Sequence, residues 1–346
     1  MKHQTTRYGE IPFYKIGTFD NTADAFISKK LFLEYKTKYS FPKKGDILIS
    51  ASGTIGRAVI YDGKPAYFQD SNIVWIDNDE TLVKNDFLFY AYSNVKWNTE
   101  HTTILRLYND NFRNTLIPLP PLNEQIAIAN ILSALDRYLC ALRALILKKE
   151  GVKKALSFEL LSQRKRLKGF NQAWQRVRLG DIANYLISNL SAEQITQQGK
   201  IKVYDVNNFI GYTDTTFISD KPYISIVKDG SVGRVRILPP KTNILSTMGA
   251  LIANHRTTTE FLFYLLSNFD FKNFISGSII PHIYFKDYKE KTIFLPPLNE
   301  QSAIANILSD LDNEITSLKN KKRQFENIKK ALNHDLMSAK IRVLKK

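Results

Sequence analysis

The sequence predicts an α+β protein in which two globular halves are each followed by a long helix, and the two helices pack on each other as a coiled coil. Residues 119–136, LPPLNEQIAIANILSALD, return 176 positions later as residues 295–312, LPPLNEQSAIANILSDLD. Sixteen of these eighteen positions are identical, which indicates an internal duplication with a period much too long for a solenoid. The stretch before each copy mixes strand and helix patterns, whereas the stretch after it is helical.

Each copy of the repeated segment has the features of a helix start. The prolines of the LPPL motif disfavour a helix before the segment and permit one after it, because proline lacks the N–H that a first helical turn leaves unpaired. Asn123 is the predicted N-cap. Glu124 and Gln125 follow in the first turn, where a negative charge interacts favourably with the helix dipole.

Apolar residues downstream recur in alternating steps of four and three, which is typical of a coiled-coil seam. In the first helix they are Ile131, Leu135, Tyr138, Leu142, Leu145, Val152 and Leu156, with Lys149 as a break. In the second helix they are Leu311, Ile315, Leu318, Phe325, Leu332 and Leu336, with breaks at Lys322 and Lys329. Two such helices in one chain are expected to pack on each other.

The globular halves repeat more faintly than the helices. A Gly-Thr-Ile-Gly-Arg turn at 53–57 is echoed by Gly-Ser-Val-Gly-Arg at 230–234, and an FLFY segment at 86–94 is echoed at 260–268. The FLFY segments predict short helices packed on a sheet. Strands are predicted at the short β-branched runs 46–50, 58–61 and 73–76. Because the framework is kept while the residues between diverge, each half is expected to present different side chains on one scaffold.

The overall composition is that of a globular cytoplasmic protein. At 346 residues the chain is too long for one core and suits two domains with connecting segments. Its single cysteine, Cys140, excludes a disulfide framework and a cysteine-rich zinc site, and is typical of a reducing compartment. The first residues lack the apolar core of a signal peptide, and no apolar run is long enough to cross a bilayer.

The positive charge of the chain is concentrated on the distal halves of the two predicted helices. The net charge is +16, of which residues 143–168 carry +7 and residues 315–346 carry +8. One interpretation is a solvated helix face. The other is an electrostatic surface for phosphate or for an acidic partner protein, and composition does not separate the two.

The usual catalytic motifs are missing from the sequence. It contains no G-x-x-x-x-G-K-[ST] phosphate loop, no H-E-x-x-H or paired-cysteine zinc motif, no G-x-S-x-G elbow and no Asn-Pro-Pro-Tyr methyltransferase motif. Its five histidines are scattered. We therefore interpret the chain as non-catalytic, with no catalytic residues, cofactor site or metal site of its own.

Two diverged α+β halves, each followed by a near-identical P-L-x-E-Q-x-x-I-A-x-I-L-x-x-L-D helix, resemble the specificity subunit of type I restriction–modification systems, the HsdS family. The resemblance covers essentially the whole chain. It implies a subunit that reads double-stranded DNA with two target recognition domains, each reading one half of a split, asymmetric site. It also implies that the helices form an antiparallel coiled coil, which spaces these domains and docks two methyltransferase (M) subunits, and that restriction (R) subunits join this core. S-adenosylmethionine, ATP and Mg²⁺ would be bound by those partners.

This resemblance implies four segments. They are a first target recognition domain at 1–118, a helical spacer region at 119–170, a second target recognition domain at 171–294 and a second helical region at 295–346. The two domains begin differently. About thirty residues separate Trp174 from Tyr204 in the second domain, and they open with a Trp-Gln-Arg-Val-Arg-Leu-Gly-Asp-Ile stretch, whereas only thirteen residues precede Tyr14 in the first.

Base readers are expected to be polar side chains on loops of the two halves. In the first half the candidates are Lys43, Lys44, Ser52, Thr54, Arg57, Lys64, Arg106, Asn109 and Arg113. In the second half they are Lys228, Ser231, Arg234, Arg236, Lys241, His255, His282, Lys286 and Lys289. Two alternatives remain open: the turn glycines are needed for positive φ, and Arg57 and Arg234 are salt-bridged parts of the scaffold.

The start of each helix is the predicted contact with a partner subunit, because it is kept identical while its surroundings diverge. The residues are Leu122, Asn123, Glu124, Gln125 and Ile128, with their copies Leu298, Asn299, Glu300, Gln301 and Ile304. Packing within the chain is the alternative explanation for their identity.

Two other functions remain open at this point. The chain could be a basic coiled-coil module that binds RNA, DNA or an acidic protein without reading sequence, and such binding would be steeply salt-dependent. It could also be a nuclease or methyltransferase whose motifs are not recognisable.

Overall fold

The computed structural model describes residues 4–19, 21–53, 55–68, 72–97 and 106–344. The chain divides into two compact units, a first unit of residues 1–143 with 320–346 and a second unit of residues 144–319. Each unit therefore combines one globular half with the beginning of one long helix and the end of the other. The four segment boundaries predicted from the sequence remain a prediction. No helix within the described ranges is both long enough and apolar enough to span a membrane.

The described residues in the globular part of the first unit form two small sheets and three short helices. Its strands are β1 (Ile11–Tyr14), β2 (Phe26–Ile27), β3 (Ile47–Ser50), β4 (Ala58–Ile60), β5 (Tyr67–Phe68) and β6 (Ile73–Ile76). Its helices are α1 (Lys29–Lys38), α2 (Asn85–Tyr92) and α3 (Asn109–Arg113), and the first long helix is α4 (Leu122–Leu161). The strand orders are β2-β1-β5 and β4-β3-β6.

The second unit repeats this plan and adds two strands at its beginning. Its strands are β7 (Gln175–Arg178), β8 (Ala183–Ile187), β9 (Ile201–Tyr204), β10 (Phe209–Thr213), β11 (Tyr223–Val227), β12 (Val235–Leu238), β13 (Asn243–Ile244), β14 (Met248–Ala253) and β15 (Thr292–Leu295). Its helices are α5 (Thr259–Ser267) and α6 (Phe285–Tyr288), and the second long helix, α7 (Leu298–Met337), begins in it. The strand orders are β10-β9-β13, β12-β11-β14-β8 and β15-β7.

The core of each unit lies where a central strand meets a short helix and a long one. Strands β3 and β11 are buried along their whole length, so they are apolar at successive positions rather than alternating. The aromatic rows of α2 and α5 bury Phe87 and Phe261, the latter in one cluster with Ile304 and Leu308 of α7. The three predicted strands and both predicted short helices are confirmed.

The long helices begin two residues earlier than predicted. Helix α4 starts at Leu122, and the carbonyl of Pro121 accepts hydrogen bonds from the N–H groups of Glu124 and Gln125 at 2.9 and 3.0 Å. The predicted N-cap Asn123 is wrong, because it lies inside the first turn, where its side-chain oxygen accepts the N–H of Glu124 at 2.9 Å. The carbonyl of Pro121 therefore accepts the first hydrogen bonds of the helix, and Asn123 is not the N-cap.

Within each unit the two helix segments run antiparallel. In the first unit Glu124 contacts Arg342 and Asp136 contacts Lys329, so rising numbers on α4 meet falling numbers at the C-terminal end of the chain. The second unit repeats this order, for example with Lys153 against Asp312. The predicted fold class is confirmed by these helix pairs and by the mixed sheets of both units.

The predicted seam agrees with burial on α7 but is wrong at three of its seven positions on α4, which are Ile131, Leu145 and Val152. The face of α4 that packs on α7 passes through Leu132 and Ile146, whereas Ile131 and Leu145 are exposed at 37% and 38%. The cause is Lys153, which occupies a seam position and reaches an acidic partner instead of an apolar one. Because a seam is recognised by apolar residues, the sequence pattern favoured Val152 over its neighbour Lys153.

Candidate nucleic-acid interface

A tight G-x-x-G turn joins two antiparallel strands in each unit, β3 to β4 and β11 to β12. Gly56 and Gly233 have φ of 79° and 80°, a region that L-residues with a side chain rarely adopt. A Cβ on Gly56 would lie 2.2 Å from Nε1 of Trp97, and one on Gly233 would lie 2.6 Å from Cδ2 of Phe271. These glycines therefore have the structural role that the sequence analysis had proposed as an alternative.

A second loop runs beside each turn and is bridged to it at the same place. Ser52 pairs with Arg106 in the first unit, and Asp229 pairs with His282 in the second, each as an isolated antiparallel bridge. In the second unit the side chains also meet, with His282 Nδ1 2.7 Å from Asp229 Oδ1. The two units thus hold different side chains on the same backbone arrangement.

In the first unit five of the predicted residues lie in the turn or in the segment 106–113, which is bridged to the turn at Arg106. We call them the first turn cluster: Ser52, Arg57, Arg106, Asn109 and Arg113. Arg106, Asn109 and Arg113 are exposed. Ser52 is buried and donates a hydrogen bond to Asn72 Oδ1 at 2.9 Å, so it supports the loop rather than facing solvent. Thr54 lies outside the described residues.

In the second unit six of the predicted residues gather in the same way. We call them the second turn cluster: Lys228, Ser231, Arg234, His282, Lys286 and Lys289. Three of its lysines line an open cleft of about 410 Å³ together with Tyr185 and Tyr284. Lys286 Nζ lies 5.5 Å from the centre of the Tyr284 ring, which is 49% exposed. Ammonium groups beside exposed rings can contact both phosphates and bases.

The other predicted residues of the first half lie at the opposite end of its sheet. That end is closed by a hydrogen bond from Gly45 N–H to the Tyr61 carbonyl at 2.9 Å. Lys43 is paired with Asp77 there at 3.1 Å. Lys44 and Lys64 are exposed on the same end. These three lysines are not brought together with the first turn cluster.

Three predicted residues of the second half are likewise apart from its turn cluster. Lys241 lies at the far end of β12, where its N–H bonds to the Ser219 carbonyl at 2.7 Å. His255 follows the far end of β14 and is exposed. Arg236 lies within β12 and donates to the Asn207 carbonyl at 2.9 Å.

An apolar loop tip lies beside the second turn cluster and was not among the residues predicted from the sequence. Residues 276–282 form a loop closed by backbone hydrogen bonds between Ser276 and His282 at 2.9 and 2.7 Å. Its tip exposes 93% of Ile279 and 54% of Ile280. Only polar side chains were expected to read bases, although apolar side chains can also insert between base steps. The signal available was an Ile-Ile pair between Gly-Ser and Pro.

Of the five predicted partner contacts on each helix start, three are buried within their own unit. Gln125 is 1% exposed. Its side-chain oxygen accepts the Lys84 N–H at 2.8 Å, and its NH₂ group donates to the carbonyls of Leu82 and Pro120 at 3.0 and 2.8 Å. It therefore ties the loop before α2 to the start of α4.

The copy of this glutamine makes the same connection in the second unit. Gln301 accepts the Thr258 N–H at 3.0 Å and donates to the carbonyls of Arg256 and Pro296 at 2.9 and 2.8 Å. A buried amide with all of its polar atoms bonded is expensive to replace. This contact alone is a reason for the two copies to be identical.

The glutamate of each helix start is also engaged inside its unit. Glu300 is fully buried and bonds to Arg166 at 2.6 Å and to the indole Nε1 of Trp174 at 2.9 Å. Glu124 bonds to Arg342, and this hydrogen bond lowers the pKa of the carboxyl group from its ordinary value.

Ile128 and Ile304 are 2% and 1% exposed and belong to the core clusters. The surface positions of the set are Leu122, Asn123, Leu298 and Asn299.

Acidic and basic helix positions pair farther along as well. In the first unit Asp136 accepts from Lys329 Nζ at 2.5 Å and from the Tyr90 hydroxyl at 2.8 Å. Burial and this carboxylate raise the pKa of Tyr90 well above its usual range. Part of the positive charge on the distal helix halves is therefore matched by acidic groups across the helix pair, a third explanation beside the two offered by composition.

The second unit repeats this pairing with Asp312, Lys153 and Tyr264. Within the described ranges, no group of three or more His, Cys, Asp or Glu side chains is placed to hold a metal ion.

Comparisons with known proteins agree with this architecture. The family model for the type I restriction modification DNA specificity domain matches residues 1–150 and 171–327. A putative type I restriction enzyme specificity subunit of Haemophilus influenzae is 62% identical over 137 residues, which are 39% of this chain and 36% of that protein. The putative MjaX specificity subunit of Methanocaldococcus jannaschii is 28% identical over 335 residues, 86% of this chain and 79% of that protein.

Solved structures share the fold. The type I restriction–modification S subunit from M. genitalium has a TM-score of 0.65 at 20% identity and covers 97% of this chain and 91% of its own. A chain from a structure on complex assembly and conformational transition of the type I system has a TM-score of 0.55 at 17% identity, covering 85% and 82%.

Proposed function

We propose, because the chain belongs to the family of type I restriction modification DNA specificity domains, that it is the DNA-reading subunit of a type I restriction–modification complex. Its two target recognition domains read the two unlike parts of a split DNA site. One observation carries this proposal: the same turn and bridging loop occur in both units, with Ser52 and Arg106 in one and Asp229 and His282 in the other.

The side chains at these bridges suit different bases. An arginine such as Arg106 can donate two hydrogen bonds to guanine O6 and N7, whereas an aspartate such as Asp229 accepts from cytosine N4. His282 holds Asp229 at 2.7 Å and thereby fixes the direction of that acceptor. The two half-sites are therefore expected to differ in sequence.

Phosphate contacts are assigned to the lysines around the second cleft. Lys228, Lys286 and Lys289 line one opening, and cations placed in this way fix the position of a protein on the duplex without reading sequence. Ile279, which is 93% exposed, is proposed to contact the groove beside them as an apolar wedge.

The chemistry of the complex is assigned to other subunits. The chain itself is proposed to be non-catalytic, with S-adenosylmethionine, ATP and Mg²⁺ held by two methyltransferase subunits and by restriction subunits. Leu122 and Leu298, exposed at 39% and 47%, are the apolar surface positions that support methyltransferase docking at each helix start. The buried glutamate, glutamine and isoleucine support the packing explanation for their own positions.

The test is co-expression with the neighbouring methyltransferase subunit, followed by genome-wide mapping of methylated sites. Arg106→Ala should relax one half of the recognised site and leave the other unchanged. His282→Ala should relax the other half of the site and leave the first half unchanged. Each lost base contact is expected to reduce discrimination by about 1–3 kcal/mol.

Lys43→Ala is the matched control, since Lys43 lies at the opposite end of the sheet and is paired with Asp77. It should leave both halves unchanged. If either bridge substitution altered both half-sites, or if neither altered any, the proposed readers would be wrong. Methylation without a two-part consensus would favour the rival function of a sequence-blind basic module.

A further inference from the structure

Within the described residues, the β4-β3-β6 sheet of the first unit lacks a strand that the matching β12-β11-β14-β8 sheet has. In the second unit β14 pairs with β11 on one side and with β8 on the other. In the first unit β6 is the counterpart of β14 and pairs with β3, and no second strand joins it within the described ranges. Three of its four residues are partly exposed, whereas the first four residues of β14 are buried. An unpaired edge of this kind is a template for another strand.

The segment before each long helix shows a second difference. Strand β15 pairs with β7, residue Leu295 being opposite Gln175. The matching residues 116–119 of the first unit form no strand. Leu119 and Leu295 are the same residue at the same place in the repeat, yet Leu119 is 52% exposed and Leu295 is 4% exposed. The uncovered leucine marks the place where β7 lies in the second unit.

A cavity beside Glu124 is the third difference. In the second unit the Trp174 side chain is 8% exposed and its indole N–H donates to Glu300. In the first unit the corresponding glutamate lines a cavity of about 260 Å³ together with Phe87, Leu119 and Arg342. This cavity offers apolar walls and a carboxylate acceptor, which is the chemistry that the indole meets in the second unit.

We propose that these three features form one strand-docking site for an extended segment of a separate polypeptide, with the pattern of residues 174–187. A tryptophan would fill the cavity beside Glu124, a first strand would pair with residues 116–119, and a second strand would pair with β6. Between them, residues equivalent to Leu179 and Ile182 would enter the core, as these two do at 0% exposure in the second unit. The proposal does not depend on DNA reading.

The site also specifies one way in which its occupant differs from residues 174–187. Tyr185 lies over Gly249, where an added Cβ would be 2.2 Å from the tyrosine oxygen. Val74 takes the place of Gly249, since Val74 pairs with Ile49 as Gly249 pairs with Ile226. The occupant should therefore carry a side chain smaller than tyrosine at that position.

The experiment is a titration of the full chain with a fluorescent peptide of residues 172–190 carrying Tyr185→Val, followed by anisotropy. Saturable binding is expected. The same peptide with Trp174→Ala should bind about tenfold more weakly or worse, because a buried tryptophan anchor dominates contacts of this size. A peptide that keeps Tyr185 should also bind more weakly than the valine version.

Two variants of the protein make the test specific. Leu119→Glu should abolish binding without lowering the melting temperature, because Leu119 is half exposed in the free protein. Leu33→Glu is the matched control, as Leu33 is equally exposed on α1, and it should bind normally. Failure of the peptide to bind, or binding unaffected by Leu119→Glu and by Trp174→Ala, would overturn the proposal. If the segment raised the melting temperature only when fused ahead of residue 1, its source would not be a separate polypeptide.

Discussion

The two units of this chain are copies that agree in their buried polar contacts and differ in what covers their edges. Both units have three such contacts. They are the glutamine tie, meaning the hydrogen bonds of the buried Gln125 or Gln301, the glutamate–arginine pair and the tyrosine–aspartate–lysine group. The units differ in the side chains at their turn bridges. They also differ in strands β7 and β8, which have no counterpart among the described residues of the first unit. Duplicated architecture thus keeps the contacts whose partners are both inside the unit, while surfaces that face other molecules are free to diverge.

Some pairs of helix positions are in contact in both units but carry different residue types. Tyr138 meets Phe325 in the first unit with ring centroids 4.8 Å apart. At the matching positions of the second unit Glu314 meets Lys149 at 2.8 Å. The repeat therefore preserves which positions face each other more strictly than it preserves residue types.

Leu295→Ala and Leu119→Ala place the same substitution at matching positions with different burial. Leu295→Ala should destabilise its unit by about 2–5 kcal/mol, as expected for truncating a buried leucine. Leu119→Ala should cost about 0.5 kcal/mol or less, because half of its side chain is already in water. Urea denaturation measures both, and equal losses would contradict the difference in burial between the two units.

Gln125→Ala and Gln301→Ala test a contact that the units share. Each substitution leaves buried N–H and carbonyl groups without a partner, so each should cost about 2 kcal/mol. The two values should agree more closely than those for the leucine pair. Gln324→Ala, at an exposed helix position, is the control and should change the unfolding midpoint little. A large effect in one unit only would show that the glutamine ties are not equivalent.

The ion pair of the second unit can be moved into the first. Tyr138→Glu combined with Phe325→Lys should destabilise the first unit by about 1 kcal/mol, because an aromatic pair contributes slightly more than a partly exposed ion pair. Each single substitution should cost more than the double one. The double variant should lose stability as salt is added, since screening weakens ion pairs. Losses that simply add would indicate that the two residues do not interact.

Glu124→Gln should have the smallest effect, visible as a change in pH dependence. The bond to Arg342 lowers the pKa of Glu124 below the ordinary value of 4.5, so the carboxylate stabilises the fold above that pH and loses this contribution as the pH falls through the lowered value. The wild-type chain should therefore be more stable than the variant at pH 7, and the difference should shrink below pH 4.5. Thermal melts at several pH values measure this, and a constant difference would argue against the pair.

Much of the fold was predictable, and the errors have identifiable causes. Residues 119–136 and their copy predicted two long helices, and short apolar runs predicted β3, β4 and β6, because these elements follow from local periodicity and turn chemistry. The seam of α4 was predicted wrongly because Lys153 occupies a core-facing position with its charge neutralised by Asp312. Reading the α7 seam onto α4 through the repeat would have avoided this error.

The candidate interface was predictable only in part. Loop position and residue type selected Arg106, Lys228 and His282, which do gather at the turns, but they equally selected Lys43 and Lys241 at the opposite ends of the sheets. Strand direction decides which loops share an end, and composition does not contain that information. Ile279 was missed because an exposed apolar tip is invisible to a search for polar readers.

The amino-acid sequence by itself determined the duplication, the helices and the glycine turns, since each rests on residues near one another in the chain and on their backbone preferences. The tertiary structure alone decided that Gln125 satisfies the loop before α2, that Lys153 stands in a helix seam and that Leu119 is uncovered while Leu295 is not. Burial and hydrogen-bond partners are set by residues far away in sequence, so identical segments acquire different roles when different neighbours cover them.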